Sequence, residues 1–251
     1  MELIELLEFI SLLADKKGMS KPYIVGGVPR DRLLKRFNDF SDVDLTTGDE
    51  SVHVLAREAA ARLKSPTTSY IVMPDGHAKI YVGNFKLDFS SNFKVPGIKE
   101  RLEKAGIKNV DSMTEELYSR DFTCNAMLMS MDLKTVYDPM GKSVNDIKKG
   151  VINTCLDPSL TLGYDNKRIA RAIYFSSKLG FEIGDNVAKW ISENKQAITR
   201  IKNRYFEEKV GKAFEYDPEK TVDNIEKMGL WSFVSSMPEF FGHVKRSPER
   251  I

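Results

Sequence analysis

The chain has 251 residues, 41% of them hydrophobic and 29% charged, with a formal net charge of +2. That length can bury a core in one large or two modest domains. No apolar run approaches the roughly 20 residues of a membrane span, and so small a net charge gives bulk electrostatics no say about nucleic acid.

The N-terminus, MELIELLEFISLLADKKGMS, is acidic where a signal peptide would be basic. Its apolar residues recur at helical spacing, which predicts an amphipathic helix of the mature protein. YIVGG and SDVDLTT read as strands flanking a helix, VPRDRLLKRF. HVLAREAAARLK is helical by periodicity, and AKIYV-GN-FKLDFS is a hairpin with a two-residue Gly83-Asn84 turn. KVPGIKERLEKAGIKNVDSM is polar and irregular, a candidate mobile loop, followed by DFTCNAMLMSMD as a helix and TVYDP as a strand. From about residue 155 strand signals fade, and KRIARAIYFSSKLG, NVAKWISENKQAI, RIKNRYFEEKVGKAF and TVDNIEKMGL all read as helices. The expected architecture is α+β: a mixed-sheet head over residues 1–152, then an all-helical part over 153–251. Cys124 and Cys155 lack metal-binding spacing, which places the chain in a reducing cytoplasm.

In Asp42-Val43-Asp44-Leu45 the period of two puts both carboxylates on one strand face, roughly 7 Å apart at the backbone. Such a pair suits Mg²⁺, which takes one or two carboxylates plus substrate phosphates. Asp88 in the hairpin offers a third, on the same face as Lys86 and Ser90. A D-x-D pair alone carries little weight, because surface strands often hold one. Upstream, Gly26-Gly27 lies between a strand and a helix opening with Pro29, Arg30 and Asp31. Glycines there let backbone approach a phosphate, and a helix start offers free N–H groups. The same residues also serve as a plain tight turn with proline opening the helix. Between Lys195 and Lys212 six basic side chains, among them Lys195, Arg200, Lys202 and Arg204, face only Glu207 and Glu208. That stretch is either a phosphate-binding stripe or a solvated helix face.

Taken together, GGVPRDRLLKRFNDFSDVDL resembles the signature of the class II tRNA nucleotidyltransferase and bacterial poly(A) polymerase family, within the polymerase-β-like superfamily. The resemblance continues in order. Arg120-Asp121-Phe122-Thr123-Cys124-Asn125-Ala126 is similar to the family's R-D-F-T-x-N-A segment, and Asp138-Pro139-Met140-Gly141 with Asp146 and Ile147 to D-P-x-G…D-[LI]. Tyr164-Asp165-Asn166-Lys167-Arg168, running into ARAIYFSSKLGFEI, is similar to the family's nucleotide-selecting segment. Four motifs in order over about residues 23 to 183 leave little room for coincidence.

The resemblance implies metal-dependent, template-independent transfer of CMP and AMP from CTP and ATP to an RNA 3′ end, foremost the CCA end of tRNA. Asp42 and Asp44 would hold Mg²⁺ or Mn²⁺, with Asp88 as the third catalytic carboxylate. Gly26, Gly27, Arg30, Arg120, Asp121, Asn125, Asp165, Arg168 and Arg171 would bind nucleotide; Lys195, Arg200, Lys202 and Arg204 would touch RNA. Arg120 and Asp121 would reach the ribose, with a structural pairing at a helix start as the competing role. Asp165 and Arg168, three apart on a predicted helix, share a face. Cytosine and adenine each present an amino donor beside a ring-nitrogen acceptor. A carboxylate accepts from the first and a guanidinium donates to the second. Guanine and uracil reverse the pattern, and unpaired buried polar groups reject them.

Three departures from the family pattern stand out: Tyr164 for a glutamate, Ser119 for an arginine, and Lys94 where Phe-Arg is common. Only about seventy residues follow the last motif, against the longer helical regions of typical members. Rival readings are a poly(A) polymerase or a C-only or A-only enzyme, and, in other classes, a non-catalytic RNA-binding relative or a transferase acting on a protein or small molecule. His53, His77 and His243 show no partner spacing.

Overall fold

The computed structural model describes residues 2–36, 40–63, 68–74, 77–90 and 92–240; His243 and residues 37–39 of the first motif lie outside them. The chain divides into two compact units, Met1–Ile147 and Lys148–Ile251. No helix among the described residues is long and apolar enough to cross a membrane.

The first unit opens with α1 (Leu3–Lys16), which buries Leu6, Leu7, Ile10, Leu13 and Ala14, one stripe at helical spacing. Glu2 and Glu5 close its N-terminus as a reciprocal capping box. Strand β1 (Tyr23–Val25) leads through Gly26 into α2 (Gly27–Leu33), then β2 (Asp42–Thr46) and α3 (Ser51–Arg62). Strands β3 (Ser69–Val72), β4 (Ala78–Val82) and β5 (Phe85–Phe89) follow; β4 and β5 form the expected hairpin, with Val82 opposite Phe85 across Gly83-Asn84. Helices α4 (Ile98–Lys104) and α5 (Ser112–Ser119), strands β6 (Leu128–Met129) and β7 (Val136–Tyr137), and α6 (Ser143–Lys149) complete the order.

The seven strands make one mixed sheet in the order β3-β4-β5-β2-β1-β6-β7. β2 runs antiparallel to β1 and parallel to β5. Val43 and Leu45 on β2 and Leu87 and Phe89 on β5 are fully buried in the same core cluster as the apolar faces of α1 and α3. Because side chains alternate along a strand, Asp42, Asp44, Lys86 and Asp88 are left on the opposite face.

Two expectations fail here. DFTCNAMLMSMD is not a helix: it makes one 3-10 turn, Thr123–Asn125, and then strand β6. Phe122, Cys124, Ala126, Met127 and Met129 are all fully buried, and an apolar run buried on every side has no period by which to tell helix from strand. The stretch expected to be irregular after Lys94 instead contains α4, which sinks Ile98, Arg101 and Leu102 at spacings of three and four.

The second unit holds β8 (Val151–Ile152), α7 (Pro158–Thr161), α8 (Lys167–Leu179), β9 (Glu182–Ile183), α9 (Asp185–Glu193), α10 (Asn203–Tyr216), α11 (Pro218–Lys227) and α12 (Trp231–Val234). Residues 153–251, expected to be all-helical, contain one short strand, β9, which pairs in parallel with β8 at the end of the expected head. Two-residue strands thirty residues apart are too short to leave a periodic signal. α8 packs on α10 and α11, and buried hydroxyls join them: Ser177 Oγ and Thr221 Oγ1 are 2.7 Å apart, and Asn224 Nδ2 donates to Ser176 Oγ at 2.9 Å. Gly180, at φ +73°, ends α8 in the left-handed conformation that glycine adopts without strain.

Candidate active site

The parallel register of β2 and β5 sets Asp42 opposite Lys86 and Asp44 opposite Asp88. Three carboxylates thus stand on one sheet face, each held differently. Exposed Asp42 accepts a 2.7 Å hydrogen bond from Lys86 Nζ. Asp88 is flanked by His77 Nδ1 and Lys79 Nζ, each at 3.6 Å. That spacing is an ion pair rather than a hydrogen bond, and Asp88 Oδ1 is buried without a hydrogen-bond donor among the described residues. Burial pushes the Asp88 carboxyl up, but His77, Lys79 and Lys86 outweigh it and hold the group below its usual range.

Asp44 is the electrostatically costly member. Desolvation by burial is the largest influence on it and raises its pKa; Arg120 opposes the rise, while Asp88 and Asp42 add to it. Gly26 explains how closely Asp44 is packed. It sits at φ +77° and ψ −127°, a corner that L side chains avoid, and a Cβ there would fall under 3.0 Å from Asp44 Oδ2 and 3.3 Å from its Cγ. The glycine is required because backbone lies against the carboxylate.

These groups fit a divalent cation. The donors are hard oxygens, Asp44 is desolvated and repelled by Asp88 and Asp42, and the Lys86 ammonium already neutralises Asp42 as a metal would. Among the described residues no three His, Cys, Asp or Glu side chains form a metal cage by themselves. Mg²⁺ does not require one, since it completes its shell with water and substrate phosphate.

The second motif braces this face. Arg120 Nη2 lies 3.1 Å from Glu116 Oε1 and 3.3 Å from Ser90 Oγ, and Thr46 Oγ1 donates to Glu116 Oε2 at 2.5 Å. Glu116 and Thr46 are fully buried, so this is a desolvated network joining the end of β2 to Arg120. Sequence reasoning missed Glu116; its i, i+4 spacing to Arg120 was the available sign. Arg30, expected to bind nucleotide, is buried: Nε and Nη2 grip Asp31 at 2.9 and 3.0 Å, and Nη1 donates to Asn125 Oδ1 at 2.5 Å. Asp121 Oδ1 accepts the Phe122 N–H at 2.8 Å and lies 3.5 Å from Asn125 Nδ2. A buried polar chain therefore runs from α2 to the 3-10 turn. The third motif holds that turn through Thr123 Oγ1, which donates to Asp146 Oδ2 at 2.7 Å, and is itself closed by the Val144 N–H donating to Asp138 Oδ2 at 3.0 Å.

In the second unit, Asp165 does not lie on α8 as expected. It precedes Asn166, the residue capping the helix, and its Oδ1 accepts the Lys167 N–H at 3.1 Å. The pair nevertheless meets: Arg168 Nε is 4.0 Å from Asp165 Oδ2, presenting an acceptor and a donor side by side. Arg171 follows one turn on, its guanidinium 5.1 Å from the Phe175 ring centroid. Lys195 and Arg200 fall on a 3-10 segment, Lys202 caps α10, and Arg204 is exposed in its first turn. Tyr164 is 45% exposed.

The chain is 28% identical over 198 residues to a CCA-adding enzyme of Bacillus licheniformis, covering 78% of this chain and 47% of that one. To an A-adding tRNA nucleotidyltransferase of Aquifex aeolicus it is 34% identical, over 71% of this chain and 20% of that one. Among solved structures, a tRNA nucleotidyltransferase complexed with a primer tRNA and an incoming ATP analog superposes with a TM-score of 0.69 at 26% identity, covering 90% of this chain and 62% of the other. The chain thus spans between a fifth and about half the length of these curated relatives. Residues 22–153, more than half of the chain, match the family described as the Poly A polymerase head domain, and the chain belongs to that family.

Proposed function

We propose that this chain transfers CMP and AMP from CTP and ATP to the 3′ end of RNA, and that its task is adding or repairing the CCA end of tRNA in the cytoplasm. The observation that carries this reading is the β2/β5 register, which sets Asp42 and Asp44 against Lys86 and Asp88 with the Gly26 backbone packed on Asp44. The RNA 3′-oxygen forms a bond to the α-phosphorus of the incoming nucleotide, the bond from that phosphorus to pyrophosphate breaks, and the hydroxyl proton is released. Asp42 and Asp44 are the oxygens that would hold Mg²⁺ or Mn²⁺, which when bound neutralises the triphosphate and favours the ionised 3′-hydroxyl. Asp88, kept ionised by His77, Lys79 and Lys86, is the carboxylate assigned to take the proton. Arg120, oriented by Glu116, supplies positive charge beside Asp44 for the ribose and phosphates. Asp165 accepts from the amino group of C or A while Arg168 donates to the neighbouring ring nitrogen; G and U oppose both.

A second reading is A addition alone, favoured by the 34% identity to an A-adding enzyme. Incubation with Mg²⁺ and tRNAs ending before CCA, after C or after CC, with each nucleoside triphosphate supplied singly and together, separates the two. Stepwise growth stopping at CCA supports the first. Extension only of the CC-ending tRNA by ATP supports the second, and no product with any substrate refutes both.

A further inference from the structure

α8 and α10 run in the same direction, and along their contact lysines and tyrosines alternate without a break. Lys167 Nζ lies 6.0 Å from the centroid of the Tyr205 ring. Lys209 Nζ sits between two rings, 5.7 Å from that of Tyr205 and 5.4 Å from that of Tyr174. Lys178 Nζ bridges the next pair, 5.6 Å from Tyr174 and 5.7 Å from Tyr216. Tyr174 and Tyr216 meet edge to face at 5.9 Å, and Tyr216 is 54% exposed. The row is about 16 Å long at the rise of an α-helix.

From this ladder we propose a phosphate-tracking surface for RNA, on which the backbone of the RNA substrate lies along α8 and α10 independently of base sequence. Helical geometry separates it from the nucleotide-selecting pair. Residues 167, 171, 174 and 178 recur at spacings of three and four and form one stripe of α8, whereas Arg168 is rotated from Lys167 by about 100°. The ring faces are occupied by ammonium groups, so the tyrosines do not serve as open stacking platforms for bases. They hold flexible lysine stems in fixed places instead, which lowers the entropy lost when each ammonium meets a phosphate.

Crowding of like charge argues that the partner is anionic. Burial, the largest influence, pushes the Lys209 ammonium below its usual pKa; Lys212 adds to this, Glu208 opposes it, and Arg171 and Lys178 add more. Glu208 is committed mainly to Lys212, at 2.9 Å, and stands 3.9 Å from Lys209. A folded surface that gathers cations at this cost is compensated when a polyanion covers it. The inference rests on the proposed RNA activity and extends it to a region sequence reasoning left undecided, choosing Lys209 with α8 rather than the exposed Lys202 and Arg204.

The test is binding of a tRNA transcript ending before CCA, followed by fluorescence anisotropy over a series of KCl concentrations, with extension of the same RNA measured alongside. In Lys178→Gln/Lys209→Gln the slope of log affinity against log salt should shrink by about 0.7–0.9 per lysine removed. Affinity at physiological salt should fall on the order of tenfold, with CTP and ATP binding unchanged. Lys178→Arg/Lys209→Arg should restore the slope, and Lys189→Gln on α9 should leave it alone. A wild-type slope in the glutamine double variant overturns the surface, as does a parallel loss of CTP binding. If wild type binds with the expected lysine dependence yet extends no RNA, the surface stands and the proposed activity falls. Wild type that binds no tRNA at any salt overturns both.

Discussion

Replacing Gly26 with alanine tests the link between backbone geometry and catalysis most directly. Two costs are separable. The backbone at φ +77° and ψ −127° is a glycine conformation, and forcing an L residue into such a region costs about 1–3 kcal/mol. The added Cβ also falls under 3.0 Å from Asp44 Oδ2 and 3.3 Å from Cγ, so the carboxylate must give way. Restoring ordinary contact means a shift of about 1 Å, and misplacement on that scale can cost on the order of 100-fold in rate. Gly83→Ala is the control for a positive-φ glycine without crowding, because Gly83 (φ +56°) has nothing within 4 Å of its would-be Cβ. Thermal melting should show both variants destabilised, Gly26→Ala by about 2 kcal/mol or roughly 4–8 °C for a chain of this size. Single-turnover extension of labelled RNA should show about 100-fold slower transfer in Gly26→Ala and a near-normal rate in Gly83→Ala. Transfer within a few-fold of wild type in Gly26→Ala, with its melting shift present, would refute the claim that this glycine sets the carboxylate in place.

Asp44→Asn removes a desolvated charge repelled by Asp88 and Asp42. Without metal it should melt no lower than wild type, it should lose the melting increase that Mg²⁺ gives wild type, and it should not transfer nucleotide; an undiminished Mg²⁺ shift would sink the metal assignment. Asp165→Ala should erode discrimination against GTP and UTP more than it weakens CTP or ATP binding, measured by single-nucleotide incorporation; unchanged preference would dispose of the edge reading. Asp49 makes a pH prediction. Burial raises its pKa, but hydrogen bonds from Ser20, Ser51 and Thr47 prevail, so its folded-state pKa lies below the 3.8 of the free group. Its contribution is therefore fully present above that value and fades as pH falls through the lowered one. Asp49→Ala should cost about 1 kcal/mol at pH 7 in denaturant unfolding, and the difference from wild type should narrow below pH 3.8; a gap constant down to acid pH would contradict this.

The elements read correctly before folding share one property: their signal is local. The Asp42/Asp44 pair shows because strand alternation separates it from Val43 and Leu45 within four residues, and the hairpin because Gly83-Asn84 interrupts two alternating runs. The stripe of α1 needs only 3.6-residue periodicity. Long-range partners were hidden for the opposite reason. Glu116 reaches Thr46 across seventy positions and Arg30 reaches Asn125 across ninety-five, so neither contact leaves a spacing that a reader can recognise. Asp165 had the right partner but the wrong backbone, since a carboxylate just before the capping residue and one on the first turn lie only two residues apart in sequence. The buried run around Phe122 went astray because its apolar residues satisfy both periods at once, and tertiary burial chose between them.

Residue types and local periods supplied the candidates, oxygen donors on one strand and a carboxylate beside a guanidinium, and the resemblance carried by four motifs in order gave them an expected chemistry. The charge state, the orientation and the bracing of those groups depend on neighbours brought in by the sheet and by helix packing. Asp88 comes to Asp44 through the parallel β2/β5 register, and Lys209 lies between Tyr174 and Tyr205 through the packing of α10 on α8. Electrostatics and hydrogen bonds fall off over a few ångströms in space and do not register separation along the chain, which is why folding had to settle them.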